Sequence, residues 1–326
     1  MYNLTEMLTY CRPEGSQTQR EFCKRFIEPA MGCPDKWGNY LLELGDKPSV
    51  CFAAHHDTVH FKDGIQRVDV TGDVVSLPFN STSSCLGADC TTGVWLILNM
   101  IEEGVPGFYI IHAAEELGCD GSSALVASEP DWLTQVDSVI SLDRMGTESI
   151  ITHQMGTRTA SDEFAVSLSG VLDLPALRPD DSGSYTDSNE YRGVVSECTN
   201  LSVGYFGQHT KRETQDLWFA DVILERMIDA DWSQLDIVRE PVLEDPYAIW
   251  ESYYKDYGTG SGWKVGSPVN EKNDYQKMYE FIKRYPDEVS EMLVDWGLDT
   301  STMAEDLNIQ DPEYINNYLN GGVIGG

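Results

Sequence analysis

Seven residues, spread over five short segments, have types and positions that could do chemistry. Val50-Cys-Phe-Ala-Ala-His55-His56-Asp57 ends an apolar run in an imidazole followed two positions later by a carboxylate. An imidazole that binds a metal usually donates its other N–H to an oxygen acceptor, and Asp57 lies on the same face of an extended chain as His55. Leu86-Gly87-Ala88-Asp89 places an acid just before an apolar helix. Phe108-Tyr-Ile-Ile-His-Ala-Ala-Glu115-Glu116 ends another apolar run in two adjacent carboxylates. Neighbouring positions of an extended chain face opposite ways, so one Glu can bind a metal while the other faces a reacting water. Ser141-Leu142-Asp143 repeats the pattern, and Asn200-Leu-Ser-Val-Gly-Tyr205-Phe-Gly-Gln-His209 closes it with a histidine after a strand. Taken singly, each has a plainer reading: a structural histidine, a helix N-cap for Asp89, a solvated loop for the Glu pair. The ordered set is more specific than any member, and two histidines with three carboxylates suit a pair of divalent ions, one carboxylate bridging.

Strand-like and helix-like stretches alternate over the first 240 residues, and these are the elements that must position the set. Short apolar runs at Ser49–Ala54, Phe108–Ala114, Asp137–Leu142 and Leu201–Val203 have the length of buried strands. Helical patterns fall at Gln17–Met31, stopped by Gly32, at Thr91–Glu103 and at Glu213–Ala230. This predicts an α/β three-layer fold with a mostly parallel central sheet flanked by helices. In such sheets functional groups collect at the C-terminal ends of strands, where the five segments lie. Residues 1–240 read as the catalytic domain. Residues 241–326 read as an acidic helical C-terminal extension, with a glycine-rich linker around 256–272. The linker's Gly258-Thr-Gly260-Ser-Gly262 lacks the spacing and preceding strand of a dinucleotide fingerprint.

Composition limits the function classes. The 326 residues carry 54 Asp and Glu against 22 Lys and Arg, a formal charge of −32, which argues against nucleic-acid and anionic-membrane partners. With 41% hydrophobic residues the chain can bury a core. There is neither a leader-like N-terminus nor an apolar run of membrane-spanning length, so a cytoplasmic protein is expected. The eight cysteines are dispersed without a Cys-x-x-Cys pair and read as free thiols.

The ordered motif set resembles the co-catalytic dinuclear zinc exopeptidases, including the bacterial leucyl aminopeptidase, tripeptidase T and glutamate carboxypeptidase branches. The likeness spans about Leu4 to Ala230 and includes Pro13-Glu-Gly-Ser16, Asp35-Lys-Trp-Gly38-Asn39 and the Asp89-x-x-x-Gly93 spacing. It implies two divalent metal ions, Zn2+ with Co2+ or Mn2+ as alternatives. By the same likeness His55 and Glu116 hold one ion and Asp143 and His209 the other. Asp89 would bridge them, Asp57 orient His55, and Glu115 act as general base. The 65 residues between Asp143 and His209 leave no room for an inserted lid domain, which points to the compact branch, and Asp at position 143 tilts the reading toward aminopeptidases. The expected substrate is a peptide or small amide. Within the polar loop Asp181-Ser-Gly-Ser-Tyr185-Thr-Asp187, Tyr185 and Asp187 are candidate substrate contacts. A deacylase acting on a nonpeptide amide and a noncatalytic acidic binding protein are the competing functions, and the sequence does not set the oligomeric state.

Overall fold

The computed structural model describes residues 2–128 and 130–241. The expected extension, with its linker and helices, lies outside the described residues.

Seven strands form the central sheet: β1 (Tyr40–Leu44), β2 (Val50–His55), β3 (Gly107–His112), β4 (Ser138–Arg144), β5 (Ser149–Ile151), β6 (Arg178–Asp180) and β7 (Glu197–Ser202). Their spatial order is β6-β5-β7-β4-β2-β3-β1. β7, β4, β2 and β3 run parallel, as does the β6–β5 pair, while β1 and β5 meet their other neighbours antiparallel. Three of the short apolar runs account for β2, β3 and β4, whereas the fourth, Leu201–Val203, meets only the last two residues of β7, a strand that is buried along its length although mostly polar in sequence.

Side-chain alternation divides the core into two layers. Phe52, Tyr109, Ile111, Ile140 and Leu142 face a cluster built with helix α1 (Ala88–Glu102), helix α3 (Asp162–Val171) and helix α4 (Leu217–Asp229). Cys51, Ala53, Phe108, Ile110 and Val139 face the opposite cluster, with Leu125 of helix α2 (Asp120–Ala127) and Tyr191. Together the layers make the expected three-layer fold. Among the described residues no helix is long and apolar enough to cross a membrane.

Two local expectations are corrected. The Gln17–Met31 pattern is helical, but its centre, Cys23–Ile27, is a π turn between two α segments. The segment beginning at Glu213 does not start a helix. Thr214–Asp216 pairs as a strand with Val74–Ser76, and the helix begins at Leu217, where the Asp216 side chain accepts the Phe219 N–H at 3.0 Å. The cross-sheet partners of Thr214–Asp216 are some 140 residues earlier, out of reach of a local periodicity.

Candidate metal centre

Strand register brings the first two site residues together. β2 and β4 run parallel with Ala53 opposite Ser141, so His55 and Asp143, each two residues further on, end the same row on the same face. His55 Nε2 lies 3.5 Å from Asp143 Oδ1. Asp89 enters from the start of α1, with Oδ1 3.2 Å from His55 Nε2 and Oδ2 3.2 Å from His209 Nε2. Glu116, on the turn after β3, puts Oε1 3.2 Å from that same His209 nitrogen. Asp89 thus stands between two histidines, each with a second carboxylate beside it.

Direct contacts place Asp143 beside His55 and Glu116 beside His209, and the donor atoms of His55, Asp89 and Glu116 also lie together. The physical reason for the first is strand order: β4 and β2 are neighbours, which seats Asp143 beside His55.

The surrounding hydrogen bonds restrict how each group can turn. Asp57 is fully buried; Oδ1 accepts the Glu115 N–H at 3.2 Å and Oδ2 the Glu116 N–H at 3.1 Å. The His55 Nδ1 lies 3.3 Å from Asp57 Oδ1 and 3.2 Å from its carbonyl, leaving Nε2 to face Asp89 and Asp143. Asn200 accepts the Asp143 N–H at 3.0 Å and donates to its carbonyl at 3.2 Å, and the Tyr205 hydroxyl donates to that carbonyl at 2.8 Å. The Thr186 hydroxyl takes up Asp143 Oδ2 at 2.9 Å. Asp143 Oδ1 and Glu116 Oε1 are buried, and each faces an imidazole nitrogen, His55 Nε2 at 3.5 Å and His209 Nε2 at 3.2 Å. Both oxygens are thereby aimed into the cluster.

Electrostatics point the same way. Four carboxylates (Asp89, Glu115, Glu116 and Asp143) crowd two imidazoles. Burial, with Asp89 alongside, pushes Asp143 up to about 7, and burial holds Glu115 well above the usual carboxylate range. Burial opposes the charged form of His209, but hydrogen bonds to Asp89 and Glu116 raise it to about 11. Such an excess of negative charge around N and O donors fits divalent cations. Donor atoms of His55, Asp89 and Glu116 lie within 4.8 Å of one another, as do those of His55, Cys90 and Asp143. Cys90 is a poor ligand as it stands: burial keeps it a thiol, and its S–H donates to the Leu142 carbonyl at 3.2 Å.

Other sequence candidates fall nearby with different partners. Glu115 Oε2 is 3.8 Å from His55 Nε2, and its Oε1 is 3.8 Å from the Cys119 thiol. Asp187 is buried, pushed up to about 8 by burial, and accepts the Ser122 hydroxyl at 2.6 Å. Tyr185 is exposed and bonds Glu190 through its hydroxyl. His56 turns away toward Gln19 and the Gly38 carbonyl, and Arg144 meets Asp180 at 3.4 Å.

Sequence reasoning missed Thr186 and Glu213. Thr186 lies between the two residues singled out in its loop, so its position was the available signal. Glu213, in Lys211-Arg212-Glu213, has the look of a solvated charge run, yet it is 1% exposed.

The family described as Peptidase family M28 matches residues 39–173, a segment that holds His55, Asp57, Asp89, Glu115, Glu116 and Asp143 but stops short of His209. No curated protein matches the sequence. Solved structures share the fold at low identity. A tripeptidase from Staphylococcus aureus is 14% identical with a TM-score of 0.56, covering 69% of this chain and 95% of its own. The aminopeptidase PepT from Bacillus cereus gives 14% and 0.54 over the same shares. An aminopeptidase from the archaeon Desulfurococcus kamchatkensis gives 14% and 0.53, covering 73% of this chain and 98% of its own. The M28 segment thus takes in six of the seven residues singled out in the sequence, and the solved structures show that the chain shares the aminopeptidase fold over about 70% of its length.

Proposed function

We propose that the protein is an aminopeptidase that holds two divalent ions, zinc by its mixed N and O donors, and removes N-terminal residues from peptides. The observation behind this reading is the position of Asp89, whose two carboxylate oxygens each lie 3.2 Å from a different histidine. On this reading His55 and Asp143 serve one side of Asp89, and Glu116 and His209 the other. The ions would supply Lewis acidity for the scissile carbonyl and a more acidic water.

The chain's own residues do the rest. Asp57 orients His55. Glu115 takes a proton from the attacking water as its oxygen bonds the carbonyl carbon, then delivers that proton to the departing amine nitrogen as the C–N bond breaks. Burial favours the protonated form of Glu115, so the carboxyl can keep the proton between the two events. We assign Tyr185 and Asp187 to substrate contact, supported by Thr186 between them, whose hydroxyl joins that loop to Asp143. The eight free thiols support a reducing, cytoplasmic setting.

Metal content per chain tests the centre, and a panel of aminoacyl and N-acyl amides tests the reaction. Close to two ions in the wild type, lost in Asp89→Ala, with turnover of aminoacyl amides only, is the expected result. A chain that neither carries nor takes up metal overturns the proposal, and exclusive turnover of N-acyl amides replaces the peptidase with a deacylase.

A further inference from the structure

Glu213 makes contacts that the hydrolytic roles above do not use. It follows His209 by four residues, and its buried carboxylate accepts four consecutive backbone N–H groups. Oε2 accepts from Leu86 at 2.9 Å and Gly87 at 2.8 Å; Oε1 accepts from Ala88 at 2.8 Å and Asp89 at 3.2 Å. The fourth donor is the backbone of the residue whose side chain stands between the two histidines. A run of N–H groups converging on one point is an anion nest, and here the anion is a side chain of the same protein.

The backbone of that nest is constrained from its other side. Gly87 has φ +75°, and a Cβ there would stand 2.7 Å from the His60 ring. The loop therefore cannot shift toward His60 to make up for a lost contact. A carboxylate is the side chain that satisfies four donors at once, since both oxygens accept and neither donates. Glu213 thus joins the turn carrying His209 to the loop carrying Asp89, the two residues that meet at 3.2 Å.

We propose that Glu213 is a positioning residue that fixes Asp89 against His209 and so sets the affinity of the centre for divalent cations without ligating them. This rests on the metal-hydrolase reading above.

The test compares Glu213→Gln and Glu213→Asp with a control, Glu197→Gln. Glu197 is equally buried and also accepts four donors: the Ser161 N–H at 2.7 Å and hydroxyl at 2.8 Å, and the N–H groups of Val238 at 3.0 Å and Arg239 at 2.8 Å. It stands at the start of β7, the end of the sheet away from the metal centre. Zn2+ dissociation constants come from chelator competition, and the Tm of the metal-free protein is measured beside them. In Glu213→Gln an amide NH2 faces two N–H donors, and the Kd is expected to rise about 10- to 100-fold. Glu213→Asp, one methylene shorter, cannot reach all four donors without dragging the loops, and is expected between the wild type and Glu213→Gln. Glu197→Gln is expected to lower the metal-free Tm and leave the Kd within about threefold, the reference scatter for a change that affects stability alone. A wild-type Kd in either folded Glu213 variant, or an equal rise in Glu197→Gln, overturns the proposal. A wild type that takes up no Zn2+ refutes instead the metal reading beneath it.

Discussion

The Asp57 carboxylate accepts the backbone N–H of Glu115 at 3.2 Å, so the residue that steers an imidazole on one strand also fixes the turn after the next. Its second oxygen accepts the Glu116 N–H at 3.1 Å, and its first lies 3.3 Å from His55 Nδ1. β2 and β3 are parallel neighbours with His55 opposite His112, which puts the two strand exits side by side. One buried acid thereby sets the relative placement of His55, Glu115 and Glu116. Burial opposes its charge, but His55 and the N–H donors more than offset that and hold Asp57 below the usual carboxylate range.

Replacing Asp57 with Asn tests this arrangement. Asn keeps one acceptor oxygen and turns the other into a donor, which then faces either the Glu116 N–H or the Glu115 N–H and His55. The expected outcome is a Zn2+ affinity about 10- to 100-fold weaker, with a parallel loss of turnover at fixed metal. Chelator competition reads the affinity. Wild-type values for both would show that the three contacts do not position the centre.

Glu115→Gln separates proton transfer from metal binding. The substitution preserves shape and removes the base, and Glu115 is assigned no ligand role. Metal content is expected to stay at the wild-type level while kcat falls about 10²- to 10⁴-fold, the usual worth of a positioned general base. Near-normal kcat would remove Glu115 from the reaction, and lost metal would make it a ligand.

The features that could be read from the sequence are those set by local pattern. Val50–His55, Gly107–His112 and Ser138–Arg144 are largely apolar runs because both of their faces are buried, and residues at or just beyond their C-terminal ends, His55, Asp143, Glu115 and Glu116, are the ones the candidate centre draws on. The edge strand β1 was hidden because its half-buried residues give no continuous run. β5 and β6 are three residues each, too short for a period to register. The sorting of Asp143 with His55 depends on which strands are neighbours, and Glu213 depends on a loop some 125 residues away. Neither relation is written in local sequence.

Gly93 shows the packing cost behind one sequence motif. It lies on α1 where that helix crosses β2 and β4, and a Cβ there would stand 2.2 Å from the Leu142 carbonyl oxygen, 2.6 Å from the Cys90 sulfur and 3.1 Å from the Ala54 Cβ. The nearest atom is backbone of a central strand, one residue before Asp143, and cannot swing aside. Gly93→Ala is therefore expected to destabilise the protein by about 3 kcal/mol or more, at or beyond the upper end of ordinary overpacking. It should also weaken Zn2+ binding by displacing Asp143. Urea unfolding measures the first effect, and a loss under 1 kcal/mol would mean that the helix can move off the sheet at little cost.

His60 predicts the acid side of the stability profile. Its ring is buried, with Nδ1 2.7 Å from the Thr58 hydroxyl and Nε2 3.3 Å from Gln66 Oε1. Gln66 spends its amide N–H groups on the carbonyls of Leu8 and Leu86, so its oxygen is an acceptor and His60 is the neutral tautomer that donates from Nε2. Burial, with the Arg12 charge adding to it, pushes the ring down to about 4. The unfolded chain binds this proton near pH 6.5 and the folded chain only near 4, so between those values the unfolded state holds more protons and acid favours unfolding. Stability from this group is complete above about pH 6.5 and falls as pH drops through the window, by about 2 kcal/mol at pH 5. His60→Gln removes the titration, so its urea-unfolding free energy should fall by about 2 kcal/mol less than that of the wild type between pH 7 and pH 5. Equal pH slopes for the two proteins would mean that His60 accepts its proton in the fold as readily as in the unfolded chain.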